Sequence, residues 1–284
     1  MSNIGVGSKG VALIAVLWLV AAMAMIITGI VQSVRNEVQV VSLHRQSVLA
    51  GSVADAAVLL AMQNMHAKKV ELPKGVQKMP VEFEGQTLDV WVRPTNGLVD
   101  INQAPIELIA KIYQFAGDLN ADDAQTLAQS TVEFRQTKNP KGVAIGFDAS
   151  EDLLNVPGMT YSLYAKIKQL VTADLRGSSG RINPLAAPLE VLQVLTGGDA
   201  ARAHVLLAQR DADGIPMDTS FFDPSQIEIA SSPNLQFQVQ VQLAGANLLE
   251  KNVNIYWGTD PRSGLPWRVL SSQQIVLSTA PNSN

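Results

Sequence analysis

From Val11 to Val31 the chain runs for 21 residues without a charge, and Thr28 is the only polar side chain among them. At 1.5 Å rise per residue such a run spans the roughly 30 Å hydrocarbon core of a bilayer. Lipid offers no partners to backbone amides, so a spanning stretch must satisfy its own hydrogen bonds as a helix. Lys9 is the only charged residue among the first 34, and Arg35 and Glu37 mark the exit into water. Apolar residues at helical spacing continue through Val38, Val41, Val48, Leu49, Ala56, Leu59 and Leu60 to about His66, and no proline occurs before Pro73. One helix from Val11 to Ala67 is roughly 85 Å long, so half of it must project from the membrane.

The other 250 residues are long enough for one or two compact domains. A formal net charge of -4 and a pI near 5.4 supply no electrostatic reason for nucleic acid or an anionic membrane surface as a partner. With no cysteine, the chain has no disulfide, thiolate metal site or cysteine nucleophile. His44, His66 and His204 stand far apart and form no metal-ligand spacing. They read as helix-face or surface residues.

Three readings compete for the N-terminal segment. A plain signal anchor is the simplest. A secretory signal cut near Ala22-Met23-Ala24 would leave Met25 to Val31 as an exposed apolar stub. The third places cleavage on the cytoplasmic side, between Gly10 and Val11, and retains the apolar helix. Lys9-Gly10 followed by Val11-Ala12-Leu13-Ile14-Ala15-Val16-Leu17-Trp18 resembles the leader of type II secretion pseudopilins, which a prepilin peptidase cuts after the glycine before methylating the new N-terminus. Most pilin-like proteins have glutamate as the fifth residue of the mature helix, where Ala15 stands here. A carboxylate at membrane depth is costly unless paired, and in that family it pairs with the N-terminus of the subunit above. A subunit with nothing above it needs no such partner. Lack of this glutamate is characteristic of protein K, a minor pseudopilin, so Ala15 marks a tip position by resemblance.

After Gly75 the pattern changes to alternation. Val81 and Phe83, then Leu88, Val90 and Val92, flank Glu84-Gly85-Gln86 as a hairpin. Strand signal returns at Leu235, Phe237, Val239, Val241 and Leu243, interleaved with four glutamines, then at Val253 to Trp257 and Trp267 to Val269. The stretch between, from 98 to about 212, reads as helical. The expected fold is α+β: a long N-terminal transmembrane helix packed on an antiparallel sheet, with an inserted all-helical domain of SAM-like, helix-hairpin-helix type. Its expected parts are a leader (1–10), the transmembrane half of the helix (11–34), its continuation with the first strands (35–97), the inserted domain (98–230) and the last strands (231–284).

Within the insertion Ile101-Asn102-Gln103-Ala104-Pro105-Ile106-Glu107-Leu108 recurs, two residues longer, as Ile182-Asn183-Pro184-Leu185-Ala186-Ala187-Pro188-Leu189-Glu190-Val191. Each copy predicts an extended entry, a proline in the first turn of a helix, and a glutamate near the positive end of the dipole. Between them, Ser150 as N-cap, Glu151 and Asp152, a turn at Pro157-Gly158 and a helix over Tyr161 to Val171 read as a helix-hairpin-helix. The phrase Val99-Asp100-Ile101-Asn102 with this hairpin is similar to membrane-anchored DNA receptors of competence systems, the alternative reading. Asp100 to Leu175 holds ten acidic residues against six basic, and Met159 stands where a small residue usually admits a phosphate. Such a hairpin should bind DNA poorly. The I-N-x-x-A, Val-Pro-Gly-Met-Thr and second I-N elements resemble protein K of the type II secretion system over nearly the whole chain.

That resemblance implies a structural minor pseudopilin, anchored once in the bacterial inner membrane with its C-terminal domain in the periplasm. Its implied partners are prepilin peptidase and the minor pseudopilins called proteins I and J, and nucleic acid is not among them. Many members carry D-W-x-D-x-D where this chain has Thr131 to Asn139, with basic residues in place of the acids. Calcium enters through the resemblance alone. Asp118, Asp122, Asp123, Asp148, Glu151 and Asp152 are the oxygen donors at hand, and helix capping explains them equally well. No cofactor is expected from the residues themselves. Nor does any nucleophile elbow, phosphate loop, dinucleotide or metalloprotease motif occur. Gly177-Ser178-Ser179-Gly180 reads as a connection, and Asp211, Asp213 and Asp218 around Gly214 as turn residues. An enzyme is not expected.

Overall fold

The structure, a computed structural model, describes residues 8–138, 142, 144–173, 178–212, 217–243 and 247–278, with side chains described for all of these except 8–12, 26–40 and 278. The chain is α+β, as expected. A 60-residue helix α1 (Ser8–Ala67) leads into strands β1 (Gln77–Phe83) and β2 (Gln86–Pro94). After a 3-10 turn (Thr95–Gly97) come β3 (Val99–Asp100), α2 (Ile106–Phe115) and α3 (Ala121–Gln136). A 3-10 helix (Ser150–Asn155), α4 (Tyr161–Ile167), β4 (Val171–Thr172), α5 (Leu189–Leu195) and α6 (Ala200–Asp211) follow. Strands β5 (Asn234–Gln242), β6 (Asn247–Tyr256) and β7 (Arg268–Ser278) close the described chain. Two compact units emerge. One takes in the described residues up to Val53, Val241–Leu249 and the end of β7 from Val276; the other is Ala54–Gln240 with Glu250–Ile275.

In the second unit the sheet order is β1-β2-β5-β6-β7, with β1/β2 and β2/β5 antiparallel. The first hairpin closes through Glu84 and Gly85, with φ of 50° and 77°, the two left-handed residues of a turn whose twist matches the strands. Alternation sorts the side chains. Val90 and Val92 of β2, Leu235, Phe237 and Val239 of β5, and Val253 and Ile255 of β6 are buried on one face. Lys251 lies in the same row of β6, and its ammonium reaches Asp55 of α1 at 2.9 Å, so this is the face the helix covers. The helix contributes Ala54, Ala57, Val58, Ala61, Met62 and Met65, all buried at helical spacing. The opposite face is polar: Arg93, Gln236, Gln238, Glu250, Asn252 and Asn254.

Pro94 on β2 pairs with Leu235 on β5, so the chain between them leaves and rejoins the sheet on adjacent strands. That stretch has its own core, with α2 at the centre: Leu108, Ile109, Ile112 and Tyr113 are sealed among Ile101, Phe147, Leu153, Ile167, Ile182 and Leu192. Among the described residues its regular elements are helices apart from isolated bridges and the short strands β3 and β4, which pair in parallel through Val99↔Val171 and Asp100↔Thr172. Two residues are too few for an alternation to be read, which is why the sequence pattern missed them. The helix expected to reach Val171 accordingly ends at Ile167. The first arm of the hairpin is a 3-10 helix with Ala149, not Ser150, at its N-cap, and Asp152 folds back to accept from the amides of Asp148 (2.9 Å) and Ala149 (3.1 Å). Pro105 and Pro188 sit one residue before their helices, as N-caps, and the glutamates Glu107 and Glu190 fall in the first turns as expected.

Candidate membrane helix and inserted domain

Gly10 and Val11 belong to the first turn of α1 by backbone; their side chains lie outside the described residues, as does the leader up to residue 7. Ala15 is exposed on the helix. Every described side chain from Leu13 to Met25 is exposed, including Leu13 at 67% and Trp18 at 75%. A stretch of bulky apolar residues exposed on all sides of a helix is unfavourable in water and natural in lipid. Val41–Ala67 is also apolar and long enough to cross a bilayer. It carries Arg45 and Asp55, however, and its last three turns bury the alanine and methionine face described above, which is the behaviour of a core helix. Val41, Leu43, Val48 and Leu49, in the first unit, remain exposed.

The repeated motif turns out to be a pair of clasps. In each copy the residue before or at the start of the motif forms a parallel bridge with a later segment: Asp100 with Thr172, and Ile182 with Ile227. Each asparagine then ties down a distant loop. The Asn102 amide donates to Phe147 O at 2.9 Å and its Oδ1 accepts from Phe147 N at 2.8 Å, a side chain imitating a strand pair. Asn183, fully buried, donates to Lys74 O (2.5 Å) and Ala230 O (2.9 Å), while its Oδ1 accepts from Leu185 N (3.1 Å). The copies also interlock through glycines. A Cβ on Gly97, ahead of the first copy, would stand 2.4 Å from the Ala186 carbonyl of the second. A Cβ on Gly180, ahead of the second copy, would stand 2.3 Å from Gln103 O of the first. Gly180 is therefore a close-packing residue as well as a connector.

The oxygen donors considered for calcium do not converge. Asp118 pairs with Lys166 at 2.8 Å, Asp123 lies in the first turn of α3 under the Asn120 cap, and Asp152 caps the 3-10 helix. No cluster of three or more acidic or histidine side chains able to hold a metal occurs among the described residues. Near the end of α3, Arg135 donates to the carbonyls of Ile101 (3.1 Å) and Ala104 (2.9 Å). A guanidinium thus satisfies the loop that follows β3, and burial pushes its pKa down against the favourable pull of Asp100. Of the turn aspartates, Asp211 pairs with Arg210 and Asp218 accepts from Ser220 N; Asp213 and Gly214 lie outside the described residues, as do Asn139 and Gly177. His66 meets Trp267 edge-on at 6.3 Å, a packing contact.

Sequence reasoning did not single out Arg93, Lys251 or Gly97. Arg93 lies on the polar face of β2 and donates to Gln238; burial lowers its pKa, Arg210 adds to this and Glu250 opposes it. The signal available was an arginine ending a strand of alternating valines, too common to stand out.

No family model matches the chain, and no curated protein does. Among solved structures, it is similar to a chain of the crystal structure of the GspK-GspI-GspJ complex from the enterotoxigenic Escherichia coli Type 2 Secretion System. The identity is 17%, the match covers 81% of this chain and 96% of that one, and the TM-score is 0.50. At that identity the likeness is one of fold: a pseudopilin-like arrangement of long helix and sheet.

Proposed function

We propose that the protein is a structural minor pseudopilin of a type II secretion system, held in the bacterial inner membrane by α1 with residues 35–284 in the periplasm. The observation that carries the reading is the 60-residue helix, wholly exposed and apolar over Leu13–Met25 and built into a sheet by its last turns. A subunit stored in a membrane and then extracted into a filament needs such a helix. The fold likeness to a chain of a pseudopilin complex supports the same role. In this reading prepilin peptidase cuts between Gly10 and Val11, and the helix then packs with those of other minor pseudopilins, proteins I and J. Ala15 leaves no carboxylate to be neutralised by a subunit above, which suits a tip position. The inserted domain, about 98–230, adds the bulk that stops further subunits at the tip.

The test is the N-terminus of the mature membrane form. An N-methylated Val11 is expected, and replacing Gly10 with a bulky residue should abolish processing while leaving the periplasmic part folded. A start at Met25, or an intact Met1, would refute the reading. Tight, salt-sensitive DNA binding by the full chain in detergent would favour the receptor alternative instead.

A further inference from the structure

Lys251 is out of keeping with its neighbours. It precedes Val253 and Ile255 in the row of β6 that faces α1, and among the described residues it is the one basic residue that is buried. Only 11% of its side chain meets solvent, against 60% for that of Asp55, whose carboxylate lies 2.9 Å from the ammonium. Both residues belong to the second unit. An ammonium sunk in an aliphatic row is costly unless an acid answers it, whereas an acid this exposed gains little from being paired. Breaking the pair thus penalises the sheet's side of it, and only where the helix brings no other acid.

The face of α1 laid on the sheet is smooth. Ala54, Ala57, Val58, Ala61, Met62 and Met65 are small or flexible. A slip of one turn, giving each of their sites to the residue four earlier, would install Ala50, Val53, Ala54, Ala57, Val58 and Ala61. All six are apolar, and only Val53 is larger than the residue it would replace. Met62 and Met65 alone resist the slip by their size, and the three rotatable bonds of methionine make it a poor specifier of position. What differs is charge. The place of Asp55 would fall to Gly51, and α1 has no acid besides Glu37 and Asp55, so the slipped helix would leave Lys251 buried without a partner. We propose that the Lys251–Asp55 pair is a register pin: it fixes the axial seat of α1 on the sheet and adds little to how tightly the helix is held. Setting register is the best-attested use of a charged group in an apolar interface. The pin acts within the second unit and needs no part of the role proposed above.

The experiment uses the full chain in detergent micelles. Because the chain has no cysteine, Leu59→Cys on the exposed side of α1 and Gln86→Cys at the exposed start of β2 accept a pair of spin labels, and their separation reads the seat of the helix. A second reading is the nuclear Overhauser contact between the rings of His66 and Trp267, edge-on at 6.3 Å, since a slip puts Met62 in the place of His66. The parent should give one distance. Asp55→Leu with Lys251→Met should melt cooperatively within a few degrees of the parent yet show a second distance in at least a tenth of the molecules. Gly51→Asp with Asp55→Ala moves the acid back one turn and keeps Lys251. The helix should follow it by about 6 Å, with a new main distance and loss of the ring contact. A single parent-like distance in either folded variant would overturn the proposal. So would failure of the Leu/Met variant to fold, because the pair would then supply stability and not register.

Discussion

Asn183 offers the sharpest test of how the inserted domain is held. Its carboxamide is fully buried and joins three places that are remote in sequence: Lys74 ahead of β1, Leu185 within its own motif, and Ala230 just before β5. Asn183→Ala removes two donors and one acceptor at once. Lys74 is exposed and its carbonyl can regain water, and Ala230 O keeps the Asn96 side-chain amide at 3.0 Å, so Leu185 N, in a partly buried residue, is the group left without its partner. Leaving a buried polar group unpaired costs about 1–3 kcal/mol, so the expected loss is roughly 2 kcal/mol. For a chain of this size that lowers Tm by about 4–8 °C. The assay is thermal melting of the full chain in detergent, with hydrogen exchange at the Leu185 amide as the local readout, where protection should drop first. Asn183→Asp sharpens the reasoning. A carboxylate facing two carbonyls is disfavoured, so its folded pKa rises above the ordinary value of about 3.9. The variant should be most stable below that value, where the neutral acid still donates one bond, and lose stability as pH rises through the folded pKa. A loss under 1 kcal/mol for Asn183→Ala, with Leu185 exchange unchanged, would refute the clasp.

Gly180→Ala should destabilise the insertion by about 2 kcal/mol or more, because φ is +73° and the new Cβ would meet Gln103 O at 2.3 Å; proteolysis rates of the full chain would report it. Tyr113 is buried and hydrogen-bonded to Thr131 at 2.9 Å, and burial pushes its pKa up to about 12. A phenol whose folded pKa lies above the unfolded value of about 10 gives stability that is intact below pH 10 and falls as pH rises toward 12, by about 1.4 kcal/mol per unit. Tyr113→Phe should flatten that alkaline limb in urea titrations while costing about 1 kcal/mol at neutral pH. Leu17→Arg places a charge in the apolar run at a cost of about 3 kcal/mol at bilayer depth, so alkaline extraction should release more of the variant from membranes than of the parent chain.

The helix and the hairpin were legible because each rests on a local period. Twenty-one uncharged residues, and helical spacing to His66, predicted α1 to within a residue of its observed end at Ala67; Glu84-Gly85 named the turn between β1 and β2. The two I-N motifs were visible as a repeat, but their use as clasps was not. Asn102 and Asn183 act on carbonyls 45, 47 and 109 residues away, and no local pattern encodes a partner at that distance. The same holds for Gly97 and Gly180, ordinary loop glycines in sequence and backbone contacts in space.

By itself, then, the sequence determined what depends on composition and period: an apolar helix too long for a bilayer, an alternating sheet with one glutamine-lined face, a helical stretch between strands, and an acidic surface without cysteine. Tertiary structure alone decided what depends on closure. It brought Pro94 and Leu235 together as strand neighbours, turned residues 99–100 and 171–172 into a parallel pair, left no metal-holding cluster of acids among the described residues, and opened a carboxamide-lined cleft over the polar face. The physical reason is that hydrophobic period is a property of neighbours along the chain, whereas hydrogen-bond satisfaction and close backbone approach are settled between segments only once the core has formed.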